Sequence, residues 1–225
     1  MKADTEILSG FYHSVNDFQK TDKKISKTVE RLKIPVYNGR MEKGVNNMIE
    51  AIDGFRLPRY AQIPDVGLYL EQVVRYVNTH LAPLGEPELT SSMVSNYVKQ
   101  GLISSPIKKS YTAEHLARLL FIAVVKPVVP LEGLRMMFSI QGDNYSLPTA
   151  YDYFCDEFEN MLGAAFGIAP AREGLGETRS DAKNLLRNTI VATVNKIYLD
   201  RYLKEYQKRR EEASDEGETS AQGIE

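Results

Sequence analysis

Polar and basic side chains are concentrated in one short stretch of the chain, and their types suit recognition of DNA. A helix predicted over residues 91–100 would present five of them on its outer face: Ser92, Ser95, Asn96, Lys99 and Gln100. In the major groove an Asn or a Gln can pair with two groups of adenine, and a Ser can donate or accept. Lys99, with Lys108 and Lys109 shortly after the helix, could contact phosphates. The stretch therefore predicts a surface for double-stranded DNA.

Two tyrosines belong to the same stretch and carry a second expectation. Tyr97 lies on the inner side of the predicted helix, and Tyr111 follows the two lysines. We expect both rings to be part of the core with their hydroxyl groups at its rim, because a Tyr hydroxyl prefers a polar partner. From the rim, each hydroxyl could also contact a DNA phosphate.

Residue spacing elsewhere indicates neither a metal site nor a catalytic site. The three histidines, His13, His80 and His115, are scattered, and the single cysteine, Cys155, excludes a disulfide framework and a multi-cysteine zinc site. Nucleotide-binding glycine motifs and a GxSxG motif are absent from the sequence. We expect no cofactor and no enzymatic activity, with an enzyme kept only as the third hypothesis.

The segment from residue 145 to 166 is rich in aromatic residues and acids around Cys155. We interpret Cys155 as a buried structural residue and the nearby acids as the solvated face of an amphipathic helix: Asp152, Asp156, Glu157 and Glu159. The aromatic residues could form plain core or line a pocket for a small-molecule effector: Tyr145, Tyr151, Tyr153, Phe154, Phe158 and Phe166.

Composition and charge indicate a globular protein with an acidic tail. The chain has 225 residues, 43% of them hydrophobic, and a formal net charge of −2. Residues 211–225 contain six acids and no Lys or Arg, so the preceding part is mildly basic. The start lacks the features of a secretory signal, and no run of eighteen apolar residues occurs. We expect a cytoplasmic protein that does not span a membrane.

Apolar periodicity and helix-end signals predict a mainly helical chain. Residues 65–81 form an apolar stripe with Asp65 as the expected N-cap, Thr90 to Gly101 bound a short helix, and Thr112 opens a largely apolar one. Between the last two, residues 102–111 predict a short two-stranded excursion. Further helices are predicted from Pro130, over 151–166 and over 181–207. The apolar stripe of the helix over 181–207 is broad enough either to pack in the core or to form an interface between subunits of an oligomer.

The order of these elements resembles a known family of regulators. The segments YVKQGLI, YTAEHLARLLFI and PLEGLRMMF resemble the DNA-binding domain of the bacterial MerR family, in which a recognition helix, a wing and a Thr-capped helix follow one another. The resemblance implies a winged helix-turn-helix and places Tyr97 close to the phosphate backbone. Asn96 stands where those proteins usually have Arg. The wider pattern over residues 57–140 looks closer still to an uncharacterised bacterial family of MerR-like proteins known only as a domain of unknown function.

The sequence thus predicts a mainly α protein with a MerR-like winged helix, a small β wing and a helical C-terminal domain. The expected divisions are an N-terminal helical or partly mobile segment (1–56), the winged-helix domain (57–140), a C-terminal domain for dimerisation or effector binding (145–208) and a disordered acidic tail (209–225). The leading hypothesis is a homodimeric DNA-binding transcriptional regulator. The alternative is a winged-helix protein–protein interaction module that does not bind DNA.

Overall fold

The described part of the chain is built almost entirely from helices. The computed structural model describes residues 48–85, 88–172 and 180–221, and the predictions for residues 1–47 lie outside it. Residues 48–50 are helical, and six complete α-helices of the described ranges follow them: α1 (Leu70–Leu81), α2 (Ser91–Lys99), α3 (Ala113–Val125), α4 (Leu131–Asn144), α5 (Leu147–Ala165) and α6 (Asp181–Ala221). Short 3₁₀ turns cover Tyr60–Gln62 and Ala82–Leu84. The mainly α prediction is confirmed.

Helix α3 forms the centre of the core. Ten of its 13 residues are buried, because apolar residues occupy nearly every side of the helix from Leu116 to Val125. Helices α1, α5 and α6 pack against it. The regions predicted as a winged-helix domain and a C-terminal domain share this one core, and all described residues fall within one compact unit.

Helix ends agree with the local signals in most places and differ in two. Thr90 and Thr112 are the N-caps of α2 and α3, as predicted. Helix α1 begins later than expected, with Tyr69 as its N-cap, so the assignment of Asp65 is wrong. Helix α5 begins at Leu147 rather than at residue 151, because the Ser146 hydroxyl accepts a hydrogen bond from the Thr149 backbone N–H.

Extended pairing is limited to two isolated antiparallel bridges, and none of the described residues forms a longer strand. Leu68 pairs with Tyr111, and Ile107 pairs with Ser110 across a tight turn. The predicted two-stranded excursion is therefore reduced to a turn and one bridge, because Pro106 and the short connection leave room for no longer ladder.

The last helix continues further than predicted. Helix α6 runs through Ala221, so residues 209–221, expected to be disordered, are helical, and residues 222–225 lie outside the description. Lys208 and Glu212 form an i,i+4 ion pair at 3.7 Å, and Glu, Lys, Arg and Ala all favour helix. Residues 209–221 therefore form a helix although they have no apolar stripe.

Three of the four acids of α5 make contacts within the fold, contrary to their interpretation as a solvated face, whereas Asp156 is exposed as expected and pairs with Arg59 at 2.7 Å. Glu159 accepts hydrogen bonds from the Arg59 guanidinium at 2.7 and 3.0 Å and from the Leu57 backbone N–H at 2.9 Å. Asp152 accepts from the Tyr60 N–H at 2.7 Å. Glu157 is buried beside Arg187 of α6, and burial raises the pKa of its carboxyl. These acids hold α5 against the core.

Candidate nucleic-acid interface

Helix α2 is short and is closed by its own sequence at both ends. The Thr90 hydroxyl accepts a hydrogen bond from the Met93 N–H at 3.3 Å. At the other end Gly101 has φ +68°, the Gly101 N–H donates to the Val98 carbonyl, and the Leu102 N–H donates to the Tyr97 carbonyl. This paired arrangement is a Schellman motif, with the buried Leu102 as its apolar anchor. The helix therefore has a fixed length and orientation.

The outer face of α2 carries the five polar side chains expected there. All of them are exposed: Ser92, Ser95, Asn96, Lys99 and Gln100. The Gln100 side-chain amide donates to the Asn96 side-chain carbonyl at 3.0 Å, and the Ser95 hydroxyl donates to the Ser91 carbonyl at 2.9 Å. Asn96 and Gln100 are thus oriented by each other while keeping hydrogen-bonding groups toward solvent.

The two lysines after α2 occupy a tight turn with an uncommon backbone. Lys108 has φ +51° and Lys109 has φ +65°, and the Ser110 N–H donates to the Ile107 carbonyl at 2.8 Å. Positive φ at both central residues is the geometry of a type I′ turn, which Asn and Gly adopt at lower cost than Lys. Both side chains are exposed, and no ion pair joins either of them to another described residue.

One buried histidine ties this turn to the end of α2. His115 Nδ1 accepts a hydrogen bond from the Thr112 backbone N–H at 3.0 Å, and its Nε2 lies 3.0 Å from the Ser104 hydroxyl. Ser104 follows α2 and Thr112 follows the turn, so the ring joins both ends of the loop that carries the lysines. Burial lowers the pKa of His115 and favours the neutral ring.

Gly67 allows the backbone before α1 to lie close to Ser110, at the end of the lysine turn. Its φ is +74°, and a Cβ built on it would overlap the Ser110 hydroxyl. Leu68 beside it exchanges two backbone hydrogen bonds of 2.8 Å with Tyr111. The turn is therefore braced against the segment before α1.

Arg135 adds a positive charge to this surface that sequence reasoning missed. Its guanidinium donates to the Gln100 carbonyl at the end of α2, at 2.9 Å, and also pairs with Glu132 at 2.6 Å. A cation at this end of a helix is favoured by the helix dipole. Thirty-five residues separate Arg135 from Gln100, so no local pattern could have indicated the contact.

Tyr97 lies deeper than expected, whereas the Tyr111 ring is part of the core as expected. Tyr97 is 1% exposed, and its hydroxyl is buried without a hydrogen-bond partner among the described residues, so the expectation that it lies at the rim is wrong. Tyr111 is 5% exposed and packs edge-on against His115, with ring centroids 5.4 Å apart. Both rings support the surface from within the core, and the buried Tyr97 hydroxyl is not placed to contact a phosphate directly.

Three apolar side chains around the turn are unusually exposed. Val66 is 86% exposed, Tyr69 is 64% exposed and Ile107 is 73% exposed. The bridge between Leu68 and Tyr111 places all three on the same small part of the surface. Ile107 directly precedes the two lysines, so the turn combines an exposed apolar side chain with two positive charges.

The described ranges contain few features of other kinds of site. No group of three or more His, Cys, Asp or Glu residues there is placed to hold a metal ion. None of the described helices is long and apolar enough to cross a membrane. Cys155 is fully buried, as predicted, and burial raises the pKa of its thiol to about 12.

Comparison with known proteins locates one family match on the chain. Residues 58–154 match the model of a domain of unknown function, DUF1836. No curated protein and no solved structure matches the chain. The match agrees with the expected domain of unknown function and extends into α5. It contains α2, the lysine turn and Arg135, while the MerR-like relationship stays a prediction.

Proposed function

We propose that the protein is a DNA-binding transcriptional regulator in which α2 enters the major groove and the Lys108–Lys109 turn contacts the phosphate backbone. The observation that carries the proposal is the division of α2 into two faces. Val94 and Tyr97 are buried, while the outer face presents only Ser, Asn, Lys and Gln, and the helix contains no acidic residue. A rigid polar face without negative charge suits a polyanion.

The side chains of this surface divide into two roles. Asn96 and Gln100 would read base edges, since each amide can pair with two groups of adenine. Lys99, Lys108, Lys109 and Arg135 would position the protein on phosphates, which carry no sequence information. Tyr97, Tyr111 and His115 would hold these elements in place from within.

We propose that the protein forms a homodimer through helix α6. Four large apolar side chains on its C-terminal half are exposed and spaced like one helical stripe: Leu199, Tyr202, Leu203 and Tyr206. Phe166 contacts Tyr198, on the neighbouring side of the same helix, with ring centroids 5.4 Å apart. A second copy paired along the stripe would bury these side chains and present two α2 helices to a pseudo-palindromic site.

The test is binding of the full-length protein to genomic DNA fragments at several salt concentrations. The key variant is Lys108→Asn/Lys109→Gly, which removes two charges and keeps the turn. Arg75→Gln/Lys204→Gln removes two exposed charges from α1 and α6 as a matched control. We expect affinity to fall with salt, and the slope of log K against log salt to be smaller by about two per subunit, hence by about four for the bound dimer, in the turn variant only.

Two results would contradict the proposal. One is the absence of selective, salt-dependent DNA binding by folded wild-type protein. The other is an equal loss of affinity in the turn variant and in the control, which would show that charge alone, and not this surface, governs binding.

The exposed apolar side chains favour one alternative, an interaction module for another protein. Val66, Tyr69 and Ile107 would suit a protein surface better than a phosphate backbone, because aromatic and aliphatic anchors in a desolvated centre carry most binding energy in protein interfaces. Selective capture of a protein partner that is lost in Ile107→Asp, without DNA binding, would support this function.

A further inference from the structure

A pocket lies between α3, α4, α5 and α6, and none of its lining residues belongs to α2 or to the lysine turn. Its volume is about 180 Å³, and its walls are almost wholly apolar. The principal aromatic residues around it are Phe121, Phe138, Tyr145, Tyr153 and Phe154. The pocket is partly open to solvent, so a small molecule can reach its apolar walls.

The shape and lining of the pocket suit one aromatic ring system. Phe121 contacts Phe138 and Phe154 with ring centroids 5.7 and 4.9 Å apart, so one wall is itself a cluster of rings. An apolar cavity of about 150 Å³ is known to hold benzene. A volume of about 180 Å³ therefore has room for one small aromatic molecule.

Two polar atoms of the lining are buried without a hydrogen-bond partner among the described residues, the Tyr151 hydroxyl and the Gln141 side-chain oxygen, and only the Gln141 oxygen is solely an acceptor. Gln141 of α4 lines the pocket, and its side-chain nitrogen donates to the Tyr145 carbonyl at 2.6 Å. Its side-chain oxygen is buried and accepts no hydrogen bond within the described residues. A buried acceptor without a donor is costly, and a ligand N–H or O–H would satisfy it.

Cations around the pocket argue against a positively charged ligand. The Arg118 guanidinium lies 4.8 Å from the centroid of Phe138, and the Lys183 ammonium lies 5.4 Å from that of Tyr153. Both residues are part of the lining. Arg118 is itself paired with Glu114 at 3.2 Å, and the lining contains no Asp or Glu that could pair with a positive charge on a ligand.

We propose that this pocket binds a small uncharged aromatic molecule carrying one hydrogen-bond donor, such as an indole or a phenol, with the donor on Gln141. The proposal goes beyond DNA recognition and does not depend on it, since none of the pocket residues belongs to α2 or to the lysine turn. Residues 145–154 contribute aromatic side chains to it, which is the pocket alternative of the sequence analysis, whereas Phe158 and Phe166 are core.

The experiment compares indole with indene, which has nearly the same shape and lacks the N–H donor. Binding of each to the full-length protein is measured by calorimetry and by the shift in unfolding temperature. The chain contains no Trp, so indole fluorescence provides a third readout. We expect saturable binding of both, and the ratio of the indene Kd to the indole Kd to fall by about 2- to 10-fold in Gln141→Met.

Variants that fill the pocket separate binding in it from binding elsewhere. Ala150 and Ala182 both line the pocket, so Ala150→Met and Ala182→Met should abolish binding of both compounds while keeping or raising the unfolding temperature. Ala169→Leu adds an exposed apolar side chain outside the pocket and should change nothing. Failure of wild type to bind either compound, undiminished binding in both filled variants, or an unchanged ratio in Gln141→Met would overturn the proposal.

Discussion

His115 is the residue on which the geometry of the candidate interface depends most. Its Nδ1 accepts from the Thr112 backbone N–H, so its Nε2 carries the proton and faces Ser104. A doubly protonated ring would place an N–H against the Thr112 N–H. The fold therefore requires the neutral ring, in agreement with the lowered pKa that burial causes.

Stability should depend on pH through this residue. Because the pKa of His115 is lower in the folded protein than its ordinary value of 6.5, the unfolded chain binds more protons as the pH falls. Stability is then fully present above about pH 6.5 and declines below it. In His115→Gln the amide can keep both hydrogen bonds without titrating. Urea unfolding from about pH 7.5 to pH 5 should show a decline in wild type that is smaller in the variant, and identical profiles would refute this role.

Tyr97 and Arg135 show why residue roles were only partly predictable. The apolar spacing in α2 correctly placed Tyr97 on the inner face, yet the depth of its hydroxyl depends on neighbours distant in the chain. The contact between Arg135 and Gln100 has the same origin. The side of a helix on which a residue lies follows from local periodicity. How deeply its side chain is buried and which residues it contacts depend on tertiary packing.

At the scale of elements, the Lys108–Lys109 turn carries a backbone conformation that its side chains do not favour. Left-handed backbone costs an L-residue other than Gly or Asn about 1–2 kcal/mol. Positive φ at Lys108 and Lys109 therefore stores strain at a solvent-exposed position that contributes little packing. Strain of this kind is often kept where the side chains are needed for function.

Replacing the turn residues should make the protein more stable. We expect Lys108→Asn/Lys109→Gly to raise the free energy of unfolding by about 1 kcal/mol, because Asn-Gly fits a type I′ turn. Thermal and urea unfolding measure the gain. As a contrast, Gly67→Ala should destabilise the protein, because its Cβ would meet the Ser110 hydroxyl. If the Asn-Gly variant were less stable than wild type, the claim that the turn is strained would be contradicted.

Elements were predicted well where their ends are set locally. Thr90 and Gly101 bound α2 as expected, because capping and left-handed termination act over three or four residues. Most acids of α5 were misjudged, since partners such as Arg59, Leu57 and Tyr60 lie about a hundred residues earlier. The length of α6 was underestimated, because apolar periodicity ends before the helix does.

For the whole molecule, the exposed stripe on α6 determines the state of assembly that we propose. Ile190 and Val194 of the same helix are buried in the core, while Leu199 and Leu203 are more than half exposed. One face of α6 therefore belongs to the fold and the adjacent face is available for a second copy.

A charge on the stripe should separate the dimer into monomers. Leu203→Glu would place a carboxylate in the apolar seam, whereas Lys204→Glu alters charge beside it and off the stripe. Sedimentation equilibrium should find a dimer for wild type and Lys204→Glu, and a monomer for Leu203→Glu with unchanged helix content. A monomeric wild type at micromolar concentration, or a dimer that persists in Leu203→Glu, would refute the proposal that the stripe on α6 is the dimer interface.

The most direct test of the central claim, that the outer face of α2 reads DNA sequence, is selection of binding sites from random duplexes by wild type, Asn96→Ala and Lys99→Ala. We expect wild type to select a two-fold symmetric motif. Asn96→Ala should lose preference at one base position in each half-site, where an Asn pair contributes about 1–3 kcal/mol of discrimination. Lys99→Ala should select the same motif with uniformly weaker affinity. An unchanged motif in Asn96→Ala, or equal effects of the two substitutions on all sequences, would contradict the claim.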